Sequence, residues 1–197
     1  MQNRTEGPKA TGLARDLVIA ADQAIYVLSR HWLLVANVVA AIYAGLPVLS
    51  PWLRSRGLEF AGPLIFAAYR VACHQRPERS FFVFGYQMAY CQRDTATYTT
   101  VLVAGIAYAF LRTRVKPLSL WGAALMLLPL AVDGTGQLFG LWTSTWWSRA
   151  VTGALFGVAL VWLVYPRIDE GLAEVRREIE ARFAQAGIPL PGLKRNR

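Results

Sequence analysis

Five stretches of this chain, 32–53, 57–69, 95–111, 117–132 and 150–166, hold almost no ionisable side chain, while Lys and Arg crowd the joints between them and the tail. In hydrocarbon no water is available to satisfy backbone N–H and C=O groups, so a crossing segment outside a closed barrel must be helical. Crossing takes about 20 residues at about 1.5 Å rise each. By that ruler 32–52, 95–111 extended by its neighbours, 117–139 and 149–166 are expected to span, and 57–72 is marginal. Composition agrees: 55% of the 197 residues are hydrophobic and 17% charged, against about 25% charged in a soluble globular protein. The expected fold class is all-α. It is a polytopic transmembrane helical bundle of four firm spans plus a short re-entrant or tightly paired helical block, with amphipathic helices at both termini. A soluble helical protein with a large core is the alternative that this charge distribution disfavours.

The formal net charge is +9. No aromatic-basic face or recognition motif accompanies the basic residues, so nucleic acid is not the expected partner. They lie beside apolar segments, where Lys and Arg set topology and meet lipid headgroups. Membrane lipids are therefore the expected partners. No cleavable signal is expected, because the first apolar run starts near residue 31 after a polar leader and is long for a signal core.

Residues 1–16, with Arg4, Lys9 and Arg15 among Gly, Pro and Thr, read as a flexible leader. From Leu17 to Leu28 apolar residues recur at helical spacing, opposite Asp16, Asp22 and Gln23, so an amphipathic surface helix is expected before the first span. Trp32 and Trp52 mark the two ends of that span, about 30 Å apart on a helix, which matches the hydrocarbon thickness. Pro47 and Pro51 are expected to kink or end it. The tail from Asp169 to Ala186 alternates charges and places Leu172, Val175, Ile179 and Phe183 at helical spacing, which predicts a second amphipathic helix. The organisation expected is a leader with amphipathic helix over 1–30, a membrane bundle over 31–166 with a polar block at 70–94, and an amphipathic helix with basic tail over 167–197.

Orientation follows from the loops. Arg112, Arg114 and Lys116 form the tightest basic cluster, and the tail adds seven more cations from Arg167 to Arg197. Excess Lys and Arg mark the cytoplasmic side. That places both termini on the cytoplasmic side of the membrane, with 54–94 starting and finishing outside. Arg54, Arg56 and Arg70 run against this assignment.

The outer block holds Cys73-His74-Gln75-Arg76-Pro77-Glu78-Arg79-Ser80-Phe81-Phe82, Gly85 and Cys91-Gln92-Arg93-Asp94. Polar groups at membrane depth are costly and point to function. Two thiolates, an imidazole and a carboxylate from Cys73, Cys91, His74 and Asp94 would make a tetrahedral site for zinc, iron or copper. Cys91 and Asp94 are three apart and share a helical face. Adjacent Cys73 and His74 would ligate one ion only in an irregular turn, which Pro77 permits. Two other readings of the thiols stand beside this one: a Cys73–Cys91 disulfide, worth roughly 3 kcal/mol for a loop of this size, or inert buried thiols. The arginines and acids of the block read equally as salt bridges that pin it.

A second polar cluster, Asp133-Gly134-Thr135-Gly136-Gln137, ends the third clear span, and Ser144-Thr145 and Arg149 follow. By the assigned orientation Asp133, Gln137 and Arg149 face the same side as the cysteine block. An Asp–Arg pair here is more often a clamp between helices than a catalytic pair. Gly153 and Gly157, four apart, are the spacing that lets helix backbones approach closely.

Taken together, the two blocks resemble a family of small bacterial and archaeal membrane proteins known as a domain of unknown function with a Cys-His-Gln signature. The matching positions are Cys73-His74-Gln75, Pro77, Arg79-Ser80-Phe81, Gly85, Cys91-Gln92-Arg93, Tyr98, Asp133-Gly134, Gln137, and Arg149 with Thr152-Gly153. The likeness covers about 60–160. Where the family carries a third cysteine after the arginine, this chain has Asp94. The family pattern implies a soft-metal or redox site, to which Asp94 brings a harder oxygen donor, or a site reduced to a disulfide. The resemblance implies membership and a shared polar site, and supplies no activity.

Three classes of function fit these residues. The first is a metal or thiol-redox centre acting on a lipid or quinone, with Arg79, Arg93 and Arg149 gripping an anionic group such as phosphate through bidentate hydrogen bonds. The second is an ion or small-solute carrier whose path is lined by Asp133, Gln137 and the arginines. The third is a non-catalytic accessory subunit of a larger membrane complex or a homo-oligomer. No nucleotide-binding loop, serine-hydrolase elbow or metalloprotease helix signature is present, which disfavours ATP-driven and peptidase functions.

Overall fold

A computed structural model describes residues 12–191. The chain divides into two compact units, Leu33–Ile168 and the pair of segments Met1–Trp32 and Asp169–Arg197. The flexible leader expected over 1–16 and the basic end of the tail fall largely outside the described residues. The first helix begins at Leu13, so the end of that expected leader is helical.

The larger unit holds most of the elements. Helix α1, Leu13–Ser55, enters it from the smaller unit. Then come α2, Ala61–Ala68, and two single 3₁₀ turns at Tyr69–Val71 and Pro77–Arg79. A hairpin of β1, Ser80–Val83, and β2, Tyr86–Cys91, leads into α3, Gln92–Leu111; α4, Leu120–Leu138, and α5, Trp146–Ala186, complete the order. Of the two outcomes expected at Pro47 and Pro51, a kink or an end, the helix does not end there and runs on to Ser55. Both rings are fully buried, and Ser50 between them donates to the Gly62 carbonyl at 2.8 Å, so α2 packs against this part of α1. Neighbouring elements are what let a proline persist inside a membrane helix.

The block after α1 corrects the helical expectation. Residues 80–91 form a two-stranded antiparallel hairpin, paired Ser80↔Cys91, Phe82↔Gln87 and Val83↔Tyr86 with an irregularity after Ser80. Its two-residue turn, Phe84-Gly85, has φ of 54° and 80°. Positive φ at both positions is the turn whose twist suits a tight hairpin. The aromatic and β-branched run that fills the strands favours a pleated surface over a helix. Tyr90, fully buried, anchors β2: its ring stacks on Tyr98 of α3 at 4.9 Å and meets Tyr69 edge-on at 4.8 Å.

Helices α3 and α5 approach closely. A Cβ on Gly157 would stand 2.8 Å from the Thr97 carbonyl, and Thr97 Oγ1 donates to the Gly153 carbonyl at 3.1 Å. Further along α3, Asn37 of α1 donates to the Gly105 carbonyl at 3.3 Å. The basic loop before α4 is held to α5, where Trp162 donates to the Lys116 carbonyl and Arg167 to the Leu118 carbonyl. The outward face of α4 is apolar, with Trp121, Leu125, Leu128 and Val132 exposed at helical spacing. A stripe of that kind suits lipid rather than water.

Helices α1 and α5 are long and apolar enough to cross a membrane. Helices α3 and α4 have 20 and 19 residues, and four firm spans were expected. What lowers their apolar character is polar residues at one end of each: Gln92, Arg93 and Asp94 open α3, and Asp133, Thr135 and Gln137 close α4.

In the smaller unit the two amphipathic segments cover each other. Tyr26, Ile179 and Phe183 form its core, with Ile19, Ile188 and Leu190 around them. Tyr26 Oη donates to Glu180 at 2.9 Å, Arg176 to the Ser29 carbonyl at 2.6 Å, and Trp32 to Asp169 at 3.1 Å. The pairings run in opposite chain directions, so the segments are antiparallel. Neither amphipathic segment is a separate helix: the first is continuous with α1 and the second with α5, through Pro166.

Candidate metal centre

The hairpin brings the two cysteines together. Cys73 sits in the irregular segment between the 3₁₀ turns, and Cys91 ends β2 immediately before α3. Gln75 holds that segment in place at a φ of 50°. Its Nε2 donates to the Phe66 and Ala89 carbonyls at 2.6 and 3.0 Å, and its own carbonyl accepts from Gln87 Nε2 at 2.6 Å. Cys91 N–H then donates to Cys73 Sγ at 3.3 Å. One helical turn further, Asp94 Oδ2 accepts from Cys91 Sγ at 3.0 Å.

The two sulfurs and one Asp94 oxygen all lie within 4.8 Å of one another. Around a tetrahedral zinc with bonds of about 2.3 Å, sulfur ligands stand about 3.8 Å apart, so a small contraction suffices. Both thiols are free. Hydrogen bonding from Cys91 holds the Cys73 thiol below its ordinary range against the opposing effect of burial. Cys91 is pushed up, by its hydrogen bond to Cys73 first and then by burial.

His74 stands apart from this group. Cys73 is buried while His74, next in the chain, is exposed, as adjacent residues in an extended turn point in opposite directions. His74 does border the same cavity, of about 510 Å³, which the Cys73, Cys91 and Asp94 side chains also line.

The far wall of this cavity comes from the second polar cluster. Gly134 and Gln137 of α4 line it together with Arg76, Arg79 and Arg93. Asp133 is the partner of Arg93 in a salt bridge, and it also accepts from Ser144 at 2.8 Å and Ser148 at 3.5 Å. The Asp–Arg clamp between helices thus uses Arg93 where Arg149 was the expected partner. Arg149 is buried and turned instead to Gln92, donating to its Oε1 at 3.0 Å. It lies close enough to Arg79, Arg93, Cys91 and Asp133 to feel the charge of each. Arg93 Nε, Arg149 Nε and Gln137 Nε2 are buried without an acceptor among the described residues.

All nine candidate residues read from the sequence, Cys73, His74, Arg79, Cys91, Arg93, Asp94, Asp133, Gln137 and Arg149, thus gather at or beside one cavity. Four contributors escaped that reading. Arg76 was one cation among several in its block. Gln92, Ser144 and Ser148 act on their charged neighbours Arg149 and Asp133 through contacts that no sequence period marks.

A profile described as "Predicted membrane protein (DUF2085)" matches residues 73–163. An uncharacterized protein of Methanocaldococcus jannaschii is 41% identical over 110 residues, 55% of this chain and 70% of that protein. The chain belongs to the DUF2085 family of predicted membrane proteins. An uncharacterized protein of Methanothermobacter thermautotrophicus is 31% identical over 98 residues, 49% of this chain and 87% of that protein. No solved structure matches the chain. The DUF2085 match begins at Cys73 and encloses all nine candidate residues, while both segments of the smaller unit lie outside it.

Proposed function

We propose that this DUF2085 protein binds a thiolate-preferring divalent ion, zinc before iron or copper, through Cys73, Cys91 and Asp94. The observation that carries this reading is the convergence of two thiols and a carboxylate within 4.8 Å on one wall of a cavity. Three protein ligands with a fourth position left for solvent or substrate is the pattern of catalytic rather than structural zinc. When bound, such an ion polarises an oxygen ligand and acidifies bound water. The chain's own contribution is to hold Cys73 toward the thiolate, which metal binding requires, and to surround the site with guanidiniums. The same reading makes α3 and α4 spans beside α1 and α5 in the inner membrane, with the 112–116 loop and both termini on the cytoplasmic side. The exposed apolar face of α4 and the positive loops support that topology.

Elemental analysis of the detergent-purified full chain, with thiol counting on the same sample, tests it. Near-stoichiometric metal, lost in Cys91→Ser, is expected. No metal with both thiols blocked as a disulfide would leave a stapled scaffold and sink the metal reading.

A further inference from the structure

The cavity carries more positive charge than its fold needs. Four guanidiniums, those of Arg76, Arg79, Arg93 and Arg149, line or back it, against two carboxylates, those of Asp94 and Asp133. Among the described residues, Arg93 is the one of the four with a carboxylate partner. Arg149 has a neutral amide. Arg76 and Arg79 make no side-chain hydrogen bond or ion pair among the described residues. Arg79 and Arg93 each stand near enough to Arg149 to repel it, and like charges held together are unfavourable until a counter-charge arrives. Buried guanidinium and amide donors without acceptors add to that demand at Arg93, Arg149 and Gln137. A divalent ion on two thiolates would leave the excess unchanged, since its charge and theirs cancel.

Arginine forks match the oxygen geometry of phosphate. The rim of the cavity is apolar in turn: Leu138 lines it and is 79% exposed, and the chain runs on through exposed Phe139, Leu141, Trp142, Trp146 and Trp147. Exposed tryptophans and apolar side chains of this kind sit at a membrane–water interface.

We propose that this cavity is a phosphate-recognition site, which takes a phosphate monoester or diphosphate group on Arg79, Arg76 and Arg93. The headgroup of a phosphorylated amphiphile whose tail lies over Leu138 and Phe139 and a free phosphate share this chemistry. The site deepens the metal-centre reading by naming a substrate class, and rests on that reading only for the ion beside it.

Calorimetric titration of the full chain in a neutral detergent tests this with dodecyl phosphate in one arm and inorganic phosphate in the other. Binding is expected to weaken about 10- to 100-fold in Arg79→Gln, the loss of one charge-assisted contact. Arg76→Gln removes an exposed side chain without a protein partner and is expected to weaken binding with no change in melting temperature. Arg177→Gln, in the smaller unit, is expected to bind as the unaltered protein does. Tighter binding of dodecyl phosphate assigns the site to a lipid headgroup, and equal binding assigns it to free phosphate. Metal content measured on the same Arg76→Gln and Arg79→Gln samples is expected to stay unchanged, so that metal loss and phosphate loss are read separately. Failure of both phosphates to bind, or unchanged affinity in both arginine variants, would overturn the assignment.

Discussion

Arg93 in the first turn of α3 and Asp133 in the last turns of α4 are 40 residues apart in the chain and joined by a salt bridge, with side chains 22% and 13% exposed. Asp133 also gathers Ser144 and Ser148. One carboxylate therefore ties α3, the loop after α4 and the start of α5 around the cavity. Removing one partner of a largely buried pair leaves an uncompensated charge, at a cost of about 3 kcal/mol. Asp133→Ala should show that loss in thermal or denaturant unfolding. The double variant Arg93→Ala with Asp133→Ala should recover part of it, because it leaves no orphaned guanidinium. Losses that simply add would mean that the pair is not coupled.

The ligand role of Asp94 predicts a graded response. Asp94→Asn keeps the size and removes the anionic donor, so zinc affinity should fall by more than the roughly 10- to 100-fold that changes outside the ligand set produce. Asp94→Cys supplies a third thiolate in the same position. It should retain zinc and bind softer ions such as cadmium more tightly, because thiolates favour soft metals. Equal zinc affinity in all three proteins, measured by competition with a chromophoric chelator, would remove Asp94 from the ligand set.

Much of this arrangement was readable from residues alone, and what was not has a physical cause. Apolar runs and flanking cations disclosed the long helices because hydrocarbon forbids unpaired backbone. Cys91 and Asp94 read correctly as neighbours because one helical turn fixes their separation. The hairpin was hidden because its strands are apolar on both faces, so no alternation appears, and because Phe84 takes a positive φ that sequence rarely advertises. The exposure of His74 and the Gln92 partner of Arg149 are not readable from the sequence. An irregular segment has no period from which to read direction, and the Gln92 that accepts from Arg149 lies on another helix, 57 residues away in the chain. The amphipathic faces of leader and tail announced that something covers them, and only the structure shows at Tyr26, Ile179 and Phe183 that each covers the other.

The close approach of α3 and α5 makes Gly157 a sensitive position. A methyl group there would press on the Thr97 carbonyl, Thr100 Cβ at 3.0 Å and the Val101 nitrogen at 3.2 Å, two of them backbone atoms that cannot swing away. Gly157→Ala should destabilise the larger unit by about 1–3 kcal/mol. Gly171→Ala on the same helix meets nothing within 4 Å. It should be neutral or slightly stabilising, since alanine favours helix over glycine. Comparable melting of the two variants would show that the helices are not in contact at Gly157.

Tyr26 gives the smaller unit an alkaline limit. Burial, followed by its hydrogen bond to Glu180, raises its hydroxyl above the ordinary tyrosine value of 10.0. The neutral form is the one the fold stabilises. Its contribution is therefore complete below pH 10.0 and is lost as pH rises through the higher value of the folded state. Tyr26→Phe removes a hydrogen bond to a charged acceptor and should cost about 1.5–3 kcal/mol near neutral pH. The same change should flatten the loss of stability above pH 10, because the ionising group is gone. The difference in tyrosinate absorbance between the two proteins isolates Tyr26 from the other tyrosines. A difference that titrates at the ordinary value would mean that Tyr26 is neither buried nor bonded to Glu180, and that leader and tail do not dock through this residue.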